Sequence, residues 1–306
     1  TYTPTIFEPE LGASFKAHQT QISFTTKYDQ LMSAADAICI TVGTPVSDEG
    51  VLQIEGVNAV VSAIVPHLRE GQLIILRSTV SPGTTRKVAE AIEASSGYRI
   101  GNDIYVAFCP ERTIEGAALA EHHDVPVIVG GVDPASTQRC ADLMLRLGPQ
   151  VIQVSSAETA ELCKLIDNTY RAQSIAFANQ IGSICEMAGI DSYEAVNAVN
   201  TAYPRTRMFR PGLGAGGPCL SKDPAILHAY AASLGSNANL LKAGIDMNRQ
   251  STARIKQFIT EFVIAEKIDH PVVATLGVAF KGHPETDDAR STPAAIVSEA
   301  IIELQG

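Results

Sequence analysis

Apolar residues fall into two alternating rhythms over the first half of the chain. Short runs at 37–42 (AICITV), 73–79 (LIILRST), 103–109 (DIYVAFC), 125–130 (VPVIVG) and 150–154 (QVIQV) are bounded by turn residues, as buried strands are. Between them, 54–67, 84–95 and 135–147 repeat with the helical period, with Thr84 and Asp133-Pro134 as starts. This alternation predicts an α/β fold built on a largely parallel, doubly wound sheet. From 156 the pattern changes. Residues 156–189 keep helical periodicity without proline; Asp191 is placed to cap a short helix over 192–199, and a further long helix is predicted over 237–267. A buried strand is expected at 272–279 (VVATLGVA), then a polar loop and a helix at 292–304. The expected domains are therefore an α/β domain over 1–155, a helical domain over 156–267 and the start of another α/β domain over 268–306.

Candidate chemistry concentrates in three places. The first is Pro211-Gly-Leu-Gly-Ala-Gly-Gly-Pro-Cys-Leu-Ser-Lys-Asp-Pro224, where glycines and a proline lead into Cys219 with Lys222 and Asp223 just behind it. Glycines let a backbone pass close to a ligand, and a thiol at the end of such a turn beside a cation is placed for nucleophilic attack. A buried structural cysteine is the bland alternative. The second place is Glu161-Leu-Cys-Lys-Leu-Ile-Asp-Asn168, where Glu161, Lys164 and Asn168 share one helical face. A lysine and an asparagine one turn apart can hold a substrate hydroxyl and the oxyanion it becomes; a solvated polar face is the alternative. The third is Phe108-Cys-Pro-Glu-Arg-Thr-Ile-Glu-Gly116 at the end of an apolar run, where ligands bind in α/β sheets.

Taken with Thr79 and the Ala-Phe-Lys at 279–281, these segments resemble the nucleotide-sugar 6-dehydrogenases: the UDP-glucose, GDP-mannose and UDP-N-acetylmannosamine dehydrogenases. Order and spacing match along essentially the whole chain. The resemblance implies a Rossmann-like NAD-binding domain, a central helical domain and a nucleotide-sugar-binding domain. It further implies NAD as cofactor and oxidation of a sugar C6 hydroxymethyl to a carboxylate in two hydride transfers. Cys219 would form the thiohemiacetal and thioester. Lys164 would stabilise the oxyanion with Asn168, and Glu111 would serve as base for the hydrolytic water. Thr79 and Asp223 would position that water or Lys164. Cofactor contacts are expected from Gly43, Thr44, Pro45, Thr79, Glu115, Lys222 and Arg290. Substrate contacts are expected from Glu111, Arg112, Lys164, Asn168, Arg205, Gly216 and Lys281. Strand-end turn chemistry is the alternative for Val42-Gly-Thr-Pro45 and for Thr79, and a local pair with Asp287 for Arg290. Arg205, in Tyr-Pro-Arg-Thr-Arg207, resembles an arginine that reaches a neighbouring subunit's sugar site, implying a homodimer built on the helical domain.

In that family a Gly-x-Gly-x-x-Gly turn opens the first helix. No such turn stands between a strand and a helix here; the glycine cluster at 212–217 lies in the helical half. Ile6-Phe-Glu-Pro-Glu-Leu11 resembles a segment that follows the missing turn. The expectation is a first domain lacking its first βαβ unit, only the start of the third, and weak NAD binding by these residues alone.

Composition narrows the class further. Net charge is −10 with 18% charged residues, against nucleic acid or an anionic membrane as partner. Six cysteines without CxxC spacing suit a reducing cytoplasm, and no apolar run reaches transmembrane length or reads as a secretory leader. The seven histidines show no metal spacing, so no metal is expected. The sugar stays open: Cys-Pro-Glu-Arg and Tyr-Pro-Arg resemble the N-acetylhexosamine branch, Lys222-Asp223 the UDP-glucose branch. A hydroxyacid-type dehydrogenase also uses a lysine and an asparagine one turn apart but needs no cysteine; an inactive dimerisation module is the remaining alternative.

Overall fold

A computed structural model describes residues 8–47, 50–148, 150–268, 272 and 274–305. The segment at 6–11 and the strand expected at 272–279 therefore lie partly outside the described residues. The chain divides into two compact units within one long helix, residues 1–166 and 167–306.

The first unit runs α1 (Leu11–His18), α2 (Tyr28–Ala34), β1 (Ala37–Ile40), α3 (Glu55–Ile64), β2 (Leu73–Leu76), α4 (Thr84–Ser96), β3 (Tyr105–Phe108), α5 (Ala118–Glu121), β4 (Val127–Gly131), α6 (Pro134–Leu147) and β5 (Val151–Gln153), then enters α7 (Ala157–Ala188). The strands form one sheet in the order β1-β2-β3-β4-β5. Every residue of β2 is buried, and side chains alternate between its faces. Ile74 and Leu76 join the core with Val57, Val61, Val88 and Ile92 of α3 and α4. Leu73 and Ile75 join the opposite core with Cys140, Ala141 and Met144 of α6. A strand covered on both faces explains the uninterrupted apolar run that marks it in the sequence.

Pairing is parallel except between β3 and β4. The reason is local. A parallel neighbour needs a crossover that carries the chain back to the same end of the sheet. After β3 the chain has only the four-residue α5 and re-enters the sheet from the end it left. Asp133 caps α6, accepting from Ser136 N at 2.9 Å, as its place in the sequence predicts.

The second unit contains the rest of α7, then α8 (Ser192–Asn200), α9 (Pro218–Ser233), α10 (Asn239–Ala265) and α11 (Pro293–Gln305). Asp191 caps α8 through Tyr193 N and Glu194 N, at 2.8 and 3.2 Å. Both α9 and α11 pack against α10. The strand expected at 272–279 does not form among the described residues; Val272 and Leu276 are 97% and 93% exposed. A strand needs a ladder partner for its backbone groups, and no strand is described in this unit to supply one. The apolar pattern alone did not carry that requirement.

Candidate active site

Ile40, Leu76 and Phe108 are paired in register where β1, β2 and β3 end. The loops that follow therefore leave from one edge, the carboxyl end of the parallel strands, where α/β sheets bind ligands. Two hydroxyls tie the first two loops together. Thr44 Oγ1 donates to the Thr79 carbonyl at 2.7 Å, and Ser78 Oγ donates to the Val42 carbonyl at 2.6 Å. Thr44 is only 4% exposed, so its hydroxyl serves as a tie. Gly43 and Pro45 are exposed, and a Cβ added to Gly43 would meet nothing within 4 Å. The sheet edge beside Gly43 is therefore open.

The third loop is held more densely. Arg77, directly after β2, donates from one guanidinium nitrogen to Cys109 Sγ at 3.5 Å and from another to Glu111 Oε2 at 2.6 Å. Glu111 Oε1 accepts from Arg112 N, Thr113 N and Thr113 Oγ1 at 2.8, 2.9 and 2.8 Å. Burial pushes the Glu111 carboxyl up, but the Thr113 donors and Arg77 outweigh it and hold the group below its ordinary value. Lys164, on α7, does not reach that carboxylate; its ammonium donates to the Glu111 peptide carbonyl at 2.7 Å. Arg112 reaches across to the Pro126 carbonyl at 2.7 Å, and Glu115 is half-buried in the same loop.

Glu161, one turn before Lys164, faces elsewhere. It is fully buried and accepts from Gly83 N at 2.6 Å and from Thr85 N and Oγ1, both at 2.7 Å. Gly83, the residue before α4, offers no side-chain cap of its own, so Glu161 satisfies the open N–H groups of that helix from a distance in sequence. Burial raises its carboxyl above the ordinary value despite these three donors. The polar stripe read from the sequence is thus a row of three separate attachments, neither a solvated face nor one cluster.

In the second unit, Asn168 donates to Asp223 Oδ2 at 2.6 Å, and both residues are buried. Asp223 sits on α9, a helix that begins inside the expected glycine–cysteine turn. Pro218 occupies its first turn, where a missing N–H costs nothing, and Cys219 follows immediately. Cys219 is exposed, so the bland reading of it as a core thiol fails; none of the six cysteines is in a disulfide. The glycines before it allow a close approach. Gly217 has φ +84°, and a Cβ there would stand 2.7 Å from the Phe280 ring. A Cβ on Gly216 would stand 2.9 Å from Pro293. The cysteine turn therefore lies against the Ala279-Phe-Lys281 segment, in which the Lys281 ammonium sits 5.6 Å from the Phe280 ring centre. Asn179, which the sequence reading missed, accepts from Gly212 N at 2.7 Å and anchors the start of the turn.

The remaining candidates are more local. Lys222 is half-buried one residue before Asp223. Arg290 pairs locally with Asp288, at 2.6–3.0 Å. Arg205 is exposed and stacks on Tyr203, its carbon 4.4 Å from the ring centre. The structure thus gathers Gly43, Thr44, Pro45, Thr79, Glu111, Arg112, Glu115 and Lys164 in the first unit. It gathers Asn168, Gly216, Cys219, Asp223 and Lys281 in the second, and leaves Arg205 on a loop of its own.

Comparison with known proteins matches both parts. Residues 2–147 match the NAD binding domain of the UDP-glucose/GDP-mannose dehydrogenase family, and residues 158–250 match its central domain. The chain belongs to this family. It is 33% identical to a UDP-N-acetyl-D-mannosamine dehydrogenase of Methanocaldococcus jannaschii over 272 residues, 88% of this chain and 60% of that protein. It is 31% identical to an NDP-N-acetyl-D-galactosaminuronic acid dehydrogenase of Ralstonia nicotianae, over 98% of this chain and 70% of that one. The solved structure of a Pyrococcus horikoshii UDP-D-ManNAc dehydrogenase superposes with TM-score 0.90 at 29% identity, covering 98% of this chain and 71% of that one. The chain thus spans about 60–70% of the length of these relatives.

Proposed function

We propose that the enzyme carrying this chain oxidises the C6 hydroxymethyl of a nucleotide sugar to a carboxylate, with a UDP-N-acetylhexosamine as substrate. The observation that carries the reading is Cys219: an exposed thiol in the first turn of α9, behind a glycine turn, in a chain of this family. The N-acetylated sugar is supported by the Cys109-Pro-Glu-Arg112 segment and by the substrates for which the relatives are named. UDP-glucose is the second sugar to test, since Lys222-Asp223 resembles that branch.

In this reading two NAD molecules in succession, held by the first unit with Gly43 giving room, would accept one hydride each. Lys164 donates to the developing alkoxide and later to the thiohemiacetal oxyanion, with Asn168 as a neutral donor held by Asp223. Cys219 adds its sulfur to the aldehyde carbon, and its proton passes to solvent water. Loss of the second hydride leaves a thioester, which water cleaves to the acid and the free thiol. Glu111, ionised and fixed by its donors, would orient and deprotonate that water, with Thr79 helping to place it. Arg112, Gly216 and Lys281 are the remaining substrate contacts, and Glu115, Lys222 and Arg290 the remaining cofactor contacts.

The domain reading kept for the proposal is 1–155, 156–267 and 268–306. Its partner is a second copy of the chain, which Arg205 would reach. Tyr170, Phe177 and Ile184 stand seven residues apart on α7, all about half-exposed or more, an apolar face suited to a matching helix. Cytoplasmic action rests on the cysteine spacing alone.

The test is stoichiometry in the full-length enzyme. With a panel of UDP-, GDP- and dTDP-sugars, one nucleotide sugar should yield two NADH per acid formed. Cys219→Ser should abolish acid formation. Two NADH per sugar at near-parental rate from the serine variant would rule out covalent catalysis.

A further inference from the structure

Arg77 is not among the residues that the sequence singled out, yet it holds Glu111, the residue whose carbonyl accepts from Lys164. Its side chain is only 17% exposed although it follows directly on β2, and its guanidinium spans Cys109 Sγ and Glu111 Oε2. The backbone leading into Glu111 has little freedom. Cys109 is fixed to the sheet by its N–H on the Leu76 carbonyl at 3.0 Å, and Pro110 has a locked φ.

The Lys164 ammonium stands beside a residue that offers it two acceptors, a carboxylate and a peptide carbonyl. Coulombic attraction favours the carboxylate strongly. The ammonium nevertheless donates to the carbonyl, at 2.7 Å. Arg77 already engages Oε2, and Arg112 N and the two Thr113 donors fill Oε1. Backbone N–H groups and a hydroxyl bring no net charge, so Arg77 is the group that cancels the negative charge which would otherwise capture Lys164. A lysine committed to a carboxylate has little left for a substrate oxyanion. A lysine on a neutral carbonyl keeps its positive charge available.

We propose that Arg77 is the positioning residue for Lys164: by occupying the Glu111 carboxylate it leaves the ammonium on the Glu111 peptide carbonyl, with its charge uncommitted. The proposal rests on the reading of Lys164 as the oxyanion donor. It also gives Glu111 a double part: its carbonyl orients Lys164, while its carboxylate, its charge balanced by Arg77, stays ionised for its proposed work on water.

Two measurements on the full-length enzyme test it. The first does not need turnover. Amine acylation with peptide mass spectrometry compares the rate at Lys164 with that at the other lysines. In Arg77→Met, Lys164 should fall onto the vacant carboxylate and acylate at least threefold more slowly. Adding Glu111→Gln to that variant should restore the rate. Faster labelling in Arg77→Met would mean that Arg77 merely braces the loop, and equal labelling would mean no coupling; either overturns the proposal. The second is kinetic. Arg77→Met should lower kcat roughly tenfold with KM within twofold. Arg77→Lys, which keeps a cation without the planar fork, should fall between the two. An unchanged kcat, or a loss confined to KM, overturns the proposal. A parent enzyme that yields no NADH from any nucleotide sugar would count against the proposed function, while the labelling comparison still decides Arg77.

Discussion

The strand-end loops and the cysteine turn place their functional groups by opposite means. At the strand ends, side chains do the holding: Arg77, Glu111, Thr113, Lys164, Thr44 and the Thr79 carbonyl are joined by hydrogen bonds of 2.6–2.9 Å on a sheet whose strands end in register. At the cysteine turn the backbone does it: Gly216 and Gly217 let the chain lie against Phe280 and Pro293, and the Cys219 side chain is left exposed. The two solutions suit the two chemical duties proposed for these groups. A donor that stabilises a developing charge is effective only if it is oriented before the charge appears. A nucleophile has to be reachable and to move through the course of bond formation. Rigidity belongs to the first group and access to the second.

Removing a member of the rigid group should therefore cost turnover more than binding. Lys164→Ala is expected to lower kcat about a hundredfold, the ~3 kcal/mol typical of a lost oxyanion donor, with KM little changed. Steady-state kinetics decide it. A raised KM at unchanged kcat would reduce Lys164 to a binding residue and erase the contrast between the two regions.

That contrast was only half legible in the sequence. β2 announces itself because both its faces are buried, and α6 and α8 through Asp133 and Asp191, since caps and buried runs are local signals. The glycine–cysteine turn was visible for the same reason. What stayed hidden depends on partners far away in sequence. Nothing around Arg77 in Leu-Arg-Ser-Thr says that it will meet Glu111, thirty-four residues on. A charged residue closing an apolar strand run was the one hint. Glu161 looked like part of a substrate-facing stripe because helical spacing fixes the face but not what covers it. The helix α9 escaped notice because Gly217-Pro218 reads as a turn, although proline is favoured in a first helical turn. The strand at 272–279 was over-read because apolar runs do not reveal whether a ladder partner exists.

Glu161 gives the next-largest effect, on stability in place of rate. Glu161→Ala would leave Gly83 N and Thr85 N without acceptors at a buried helix start, a loss of about 2–3 kcal/mol by denaturant unfolding. Its pH dependence tests whether burial or the three donors dominates. A carboxyl raised in the folded state binds its proton more tightly there than when unfolded. Its contribution is then whole below the ordinary value of 4.5 and is lost as pH rises through the folded value. Relative to Glu161→Gln, the parent should become less stable as pH rises across that window. A parent that gains on the glutamine variant over the same window would show that the helix-terminal donors win over burial.

The smallest effects separate two neighbours at the sheet edge. Thr44→Val keeps the shape of the side chain but removes the hydroxyl that donates to the Thr79 carbonyl, and should cost ~1 kcal/mol of stability. Its effect on kinetics should be modest and indirect, through a looser Thr79 loop. Gly43→Ala should do the reverse. A Cβ there meets nothing within 4 Å and no left-handed backbone angle is involved, so unfolding should shift by less than ~0.5 kcal/mol. If the open space beside Gly43 receives the nicotinamide end of NAD, the added methyl occupies it, and KM for NAD should rise severalfold while KM for the sugar stays put. Unfolding curves and NAD titrations of the two variants side by side check the division of labour. Should Gly43→Ala leave KM for NAD unchanged, the cofactor does not use that space, and the first loop contributes only the tie from Thr44 to Thr79.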